Sequence, residues 1–131
     1  MGNNHDKAIL VACAIIQKDG KVFIARRKPD KSQGGKWEFP GGKVENGESI
    51  KECLVREFEE EFGVILEVGE RCGSNTHDYE SISIELIGHY CKMNTNNFSL
   101  TDHDLTAWVS IEELRSYDLA PADIPLIELI H

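Results

Sequence analysis

The sequence predicts a mixed α/β (α+β) fold, with a mixed β-sheet packed between helices. Apolar, β-branched segments bounded by turn residues indicate strands, and one stretch carries both a start and a stop signal for a long helix. Hairpin signals alternate with helical ones instead of grouping apart, which favours a mixed sheet. The 131 residues suit a single domain spanning 1–131, with residues 1–6 expected to lie outside its ordered part.

Residues 7–16, KAILVACAII, read as a mostly buried strand, and an Asp19-Gly20 turn leads into a second strand, KVFIAR, as a hairpin. Residues 28–36 are polar and read as a loop, after which Trp37-Glu38-Phe39 is a short extended piece ending at Pro40-Gly41-Gly42. Ser49 with Glu52 forms a capping-box signature and Gly63 a stop, so a helix is expected over Ile50–Phe62. Strands are expected at 64–68, 81–93 and 105–109. A second capping box, Ser110 to Glu113, opens a short helix. Residues 123–130 suit an amphipathic helix that tolerates Pro125 in its first turn.

Composition narrows the function classes. No apolar run approaches the roughly 20 residues of a membrane helix, and the N-terminus lacks a secretory pattern, so a cytoplasmic address is expected. Cys13, Cys53, Cys72 and Cys91 form no Cys-x-x-Cys pair and read as small buried hydrophobes of a reducing compartment. A net charge of −9 argues against a general nucleic-acid binder. Seven of the fourteen basic residues lie between Lys21 and Lys43, directly before the most acidic segment. That contrast fits an anionic ligand held through divalent cations, or simply a solvated charged surface.

The long helix carries an anomaly. At about 100° per residue, Glu57 and Glu61 fall within roughly 20° of Ile50, in line with the apolar stripe of Cys53 and Leu54, with Glu60 at its margin. Like charges at these spacings repel unless a cation offsets them, and oxygen-only donors favour a hard ion such as Mg²⁺, with Mn²⁺ as substitute. Arg56 stands between Glu52 and Glu60 and can orient the cluster. The preceding Pro40-Gly41-Gly42-Lys43 lets backbone approach a metal or phosphate without an intervening Cβ.

Gly42-x5-Glu48-x7-Arg56-Glu57-Phe58-x-Glu60-Glu61-x-Gly63-Val64 resembles the Nudix box throughout. Arg26-Arg27 and Trp37–Gly42 resemble the MutT branch of Nudix hydrolases, and Leu119-Ala-Pro-Ala-Asp-Ile-Pro125-Leu resembles its CTP pyrophosphohydrolase members. The resemblance covers residues 7–130. It implies an α/β/α sandwich with a mixed central sheet. It also implies an Mg²⁺-dependent hydrolase cleaving nucleoside triphosphates to nucleoside monophosphate and pyrophosphate, in nucleotide-pool sanitisation. By the same resemblance Glu57, Glu60 and Glu61 are metal ligands together with the Gly41 carbonyl and Asp102. Glu57 is the general base, Arg56 orients it, Glu60 belongs to the catalytic set, and Glu48 is accessory. Arg26 is the implied phosphate contact, with Arg27 either a second contact or a surface charge.

Base recognition is implied for Glu38, Phe39, His77 and Asp123. Phe39 can stack on a base or fill the core, and Asp123 can read a base or cap the last helix. Two carboxylates favour a cytosine edge, or share a proton and accept a purine. The expected substrates are (d)CTP and modified dNTPs such as 5-methyl-dCTP and 8-oxo-dGTP. A Nudix hydrolase of another nucleoside diphosphate derivative such as ADP-ribose, or a non-catalytic nucleotide-binding module, are the alternatives. The partner is a nucleoside triphosphate, not nucleic acid or membrane, and the protein is expected as a monomer or weak homodimer.

Overall fold

A computed structural model describes residues 8–95 and 97–131. The expectations for residues 1–6, and for Lys7 at the head of the first strand, lie outside the described residues. Strands β1 (Ile9–Lys18) and β2 (Lys21–Arg27) form the expected hairpin. Asp19 and Gly20 both have positive φ, 53° and 77°, as the turn matching the twist of a two-residue hairpin requires. Short strands β3 (Trp37–Glu38) and β4 (Gly41–Lys43) precede helix α1 (Ile50–Phe62); β5 (Leu66–Tyr79), β6 (Ile82–Met93), β7 (His103–Ser110) and the single turn α2 (Ile111–Leu114) follow. A 3₁₀ helix over Ile124–Leu129 ends the fold.

The sheet runs β3-β2-β1-β6-β5, with β4 also paired to β1 and β7 to β2. β1 and β6 are parallel and the other pairs antiparallel, so the sheet is mixed. Period two along β1 feeds two cores. Ala12, Ala14 and Ile16 turn towards α1 with Phe23, Cys53, Leu54 and Phe58. Cys13 and Ile15 turn the other way, joining Ile24, Leu114, Leu126 and Ile127 beneath α2 and the terminal 3₁₀ turn. The result is the expected sandwich of helix, sheet and helix.

Both capping boxes form with reciprocal bonds, and Gly63 ends α1 at φ 69° with its N–H reaching the Phe58 and Glu59 carbonyls. Three local expectations are corrected. The strand expected at 64–68 begins at Leu66 and continues to Tyr79, through the polar stretch GERCGSNTHDY. That stretch has no apolar alternation; it is strand because β6 pairs with it from Leu66↔Met93 to Tyr79↔Ile82, with register shifts around Arg71. The tail is 3₁₀, not an amphipathic α-helix: Leu126 N–H bonds to the Asp123 carbonyl three residues back, and Pro125 has no N–H to give an α-helical bond. The extended piece does not end at Pro40-Gly41-Gly42: Gly41–Lys43 is a further strand bonded to Val11–Cys13 of β1.

Candidate active site

Helix α1 presents its acids as the helical wheel predicts. The side chains of Glu57 and Glu61 are 15% and 14% exposed while Glu60 is 60% exposed, so two of the three enter the protein and the third stands at the rim. Gly42 makes room for the first. A Cβ on Gly42 would overlap the Glu57 carboxyl group, whereas one on Gly41 would overlap the Ala12 backbone across the β1–β4 pair. Cys53 Sγ, 3.5 and 3.4 Å from the carbonyls of Gly42 and Lys43, ties the helix to this strand.

Arg56 is the hub of the cluster. Its guanidinium donates to Glu48 at 2.6 and 3.0 Å, to Glu57 and Glu60 at 3.1 Å, and to the Lys43 carbonyl at 3.1 Å. Its hydrogen bond, then the Glu45 backbone N–H, pull the Glu48 carboxyl down from 4.5 to about 2. A depressed acid stabilises the fold above its ordinary pKa and loses that contribution as pH falls through the folded value. The thermal stability of Glu48→Gln should therefore fall below that of wild type at pH 7, and the two should converge as pH drops from about 4.5 towards 2. A gap that persists at pH 2 in thermal melts would deny that the Glu48–Arg56 ion pair is its source.

Burial first, against the pull of Arg56, raises the Glu57 carboxyl. Burial and then a hydrogen bond to Asp102 push Glu61 up to about 7, and the same bond holds Asp102 down. The opposite shifts favour the protonated form of Glu61 beside an ionised Asp102, as expected where like charges converge without a cation. The donors are all oxygen, and Gly42 keeps the approach to Glu57 open, which suits a hard divalent ion. Among the described residues no three potential ligands are already gathered at metal-bonding spacing. Arg56 draws Glu57 and Glu60 to itself while Glu61 turns to Asp102, so assembly around an ion requires these side chains to change partners.

The second group of expected residues gathers at β3. Glu38 is opposite Ala25 and so shares the α1 side of the sheet. Asp123 is 5% exposed and its Oδ2 accepts the Phe39 N–H at 2.8 Å. Its side chain makes no cap bond, so helix capping is not its role. Burial, then the charge of Glu38 nearby, push Asp123 far above its ordinary 3.8. Tyr79 Oη accepts the Ala122 N–H at 3.2 Å, and Asn75 Nδ2 donates to the Ala122 carbonyl at 3.1 Å; together they pin this corner to β5. His77 is one ring removed, edge-on to Tyr79 at 4.5 Å.

Two site expectations are corrected. The ring of Phe39 is 2% exposed in the core beneath the 3₁₀ turn, leaving no face for a base; only its N–H serves the site. Arg26 lies opposite Trp37 on the face away from α1, and both its Nε and Nη2 bond to Asp104 at 2.9 Å. Alternation along β2 puts Arg27 with Phe23 and Ala25 on the α1 side, where it is opposite His103 and 3.9 Å from Glu38. The resemblance points to Arg26, but strand alternation gives the α1 side to its neighbour Arg27.

Sequence reasoning missed His103. It is 2% exposed, its Nε2 is 2.7 Å from Glu38 Oε2, and its Nδ1 is 3.9 Å from Glu61 Oε2. A signal was available: it directly follows Asp102 at the head of a strand, where a buried polar residue needs a polar partner. Two surface cavities beside Lys92 share no lining residue with these groups. No helix among the described residues is long and apolar enough to cross a membrane.

Comparison with known proteins agrees with this geometry. Residues 11–129 match the family described as NUDIX domain. The chain is 42% identical over 122 residues to the CTP pyrophosphohydrolase of Escherichia coli K12, covering 93% of this chain and 90% of that protein. It is 34% identical over 123 residues to a putative 8-oxo-dGTP diphosphatase 2 of Mycobacterium tuberculosis, covering 88% and 82% of the two chains. The solution structure of the E. coli ORF135 protein superposes with a TM-score of 0.80 at 40% identity, over 93% of this chain and 87% of that one. The capped helix with its inward glutamates, the glycine strand beside it and the match along nearly the whole chain together make this protein a Nudix hydrolase.

Proposed function

We propose that this hydrolase cleaves nucleoside triphosphates to nucleoside monophosphate and pyrophosphate with Mg²⁺, acting on (d)CTP and related modified nucleotides in pool sanitisation. The observation that carries the reading is the pair of carboxyl groups at β3. Glu38, bonded to His103, is an acceptor, while buried Asp123 favours its protonated form and can donate. An acceptor beside a donor matches the N4 amine and N3 of cytosine. Relatives named CTP pyrophosphohydrolase and 8-oxo-dGTP diphosphatase support the substrate class.

In this reading Glu57, Glu61 and Asp102, with Glu60 at the rim and the Gly41 carbonyl, hold the divalent ions. Those ions neutralise polyphosphate charge and polarise the anhydride. Glu57 takes the proton of the attacking water as its oxygen bonds to phosphorus and the pyrophosphate oxygen departs. Arg56 keeps Glu57 aimed, and Arg27 offers a guanidinium to the phosphates from the α1 side. Release of pyrophosphate, measured over canonical and modified nucleotides with Mg²⁺ and with Mn²⁺, tests the function. Preferential release from cytosine nucleotides is expected, and turnover confined to dinucleoside or sugar diphosphates would reject it.

Asp123→Asn separates base reading from folding. Asparagine still accepts the Phe39 N–H, so the local bond survives. A raised acid favours the fold below its ordinary pKa and loses that contribution as pH rises, so the variant should melt no lower than wild type at pH 8. Its amide offers both donor and acceptor, and preference should shift from cytosine towards oxidised guanine. Unchanged ratios across a dNTP panel would remove Asp123 from base recognition.

A further inference from the structure

We propose that His103 is a positioning residue for base recognition: it fixes the Glu38 carboxylate at the base-reading end of the site. The proposal rests on the reading of Glu38 as a base reader.

His103 begins β7 with its ring stacked on Phe62 of α1, centroids 5.6 Å apart and planes 14° from parallel. Phe62 is itself 1% exposed, so the ring plane is set by core packing and not by solvent. One edge of the ring points to Glu38, with Nε2 2.7 Å from Oε2. In the proposed arrangement Nε2 is the donor and Oε2 the acceptor of this bond. Oε2 is thereby committed, with Arg27 also 3.9 Å from it. Oε1 receives no hydrogen bond among the described residues, and the side chain is 19% exposed, so this oxygen is the one left for a ligand.

The opposite edge is unusual. Nδ1 is the one buried side-chain nitrogen or oxygen among the described residues without a hydrogen-bond partner. It faces Glu61 Oε2 at 3.9 Å, too far for a hydrogen bond. A buried polar atom left unsatisfied is disfavoured, and its retention here is accounted for if the ring serves as a spacer between two carboxylates with different tasks. A phenyl ring would fill the same space against Phe62 but could not hold Glu38. Glutamine could supply an N–H near the place of Nε2 without the stacking ring.

The test compares His103→Phe, His103→Gln and Glu38→Gln on a panel of cytosine, uracil, adenine and guanine triphosphates. His103→Phe should raise KM for the preferred nucleotide about tenfold, as expected for losing one hydrogen bond to a charged group, and flatten the ratios among bases. Its kcat should change less than about threefold, and His103→Gln should restore most of the ratios. A loss in kcat with base ratios intact would overturn the proposal, because a purely structural role, or one exerted through Glu61, predicts that result. Unchanged ratios in Glu38→Gln would instead overturn the reading of Glu38, and the proposal with it. Flattened ratios in Glu38→Gln alone would sink only the proposal. Ring ¹⁵N spectra of the wild-type protein give a check independent of variant folding. A protonated Nε2 whose signal moves in Glu38→Gln is expected, and a bare Nε2 would overturn the assignment.

Discussion

Glu57→Gln should lower turnover ~100-fold or more while leaving the melting temperature nearly unchanged. The side chain is half-enclosed between Gly42 and Arg56, so any substitution of different volume would disturb its surroundings. Glutamine keeps the volume, and its carbonyl oxygen can still accept from Arg56 Nη1, as the carboxylate does at 3.1 Å. Burial disfavours the ionised form of Glu57, so neutralising it removes a small electrostatic burden from the fold. What the amide cannot do is accept a proton from water or offer a negative charge to a divalent cation. Steady-state pyrophosphate release with thermal melts checks both halves, and turnover close to wild type would strip Glu57 of its assigned role.

The neighbouring glycines should respond to alanine in opposite ways. At Gly41 the new methyl would run into the Ala12 carbonyl and Cys13 Cα, all backbone of β1. Backbone in a central strand cannot step aside, so Gly41→Ala should be destabilised by about 3 kcal/mol, a fall of roughly 12 °C in Tm at about 4 °C per kcal/mol. At Gly42 the atoms nearest the methyl are the far end of the Glu57 side chain. That carboxyl can swing away, so Gly42→Ala should melt within about 4 °C of wild type and lose ~100-fold in turnover through displacement of Glu57. Melting curves and pyrophosphate release on both variants decide the matter. An active Gly42→Ala would mean that Glu57 need not occupy its observed place, and a stable Gly41→Ala would contradict the tight β1–β4 contact.

Much of the fold was legible because its signals are local. Capping boxes, the αL glycine after α1 and the Asp-Gly turn each depend on residues within a few positions of one another, and all form as expected. The inward set of Glu57 and Glu61 was legible for the same reason: helical periodicity fixes which side chains share a face. β5 was not legible beyond residue 68, since its polar sequence becomes strand only through the ladder supplied by β6. Arg26 stands as the implied phosphate contact because the resemblance covers both adjacent arginines, and which of them faces α1 follows only once Phe23 and Ala25 are known to pack against that helix.

By itself the sequence determined the sandwich class, the acidic helix with its glycine neighbour, and the family. Each follows from short-range spacing that the chain carries wherever it folds. Tertiary structure alone decided which carboxylates meet, which arginine turns to the α1 side, and that Phe39 gives its N–H and not its ring. It alone set His103 between Glu38 and Glu61, residues separated from it by 65 and 42 positions in the chain. Contacts of that range are made by strand pairing and core packing, and no local pattern in the sequence encodes them.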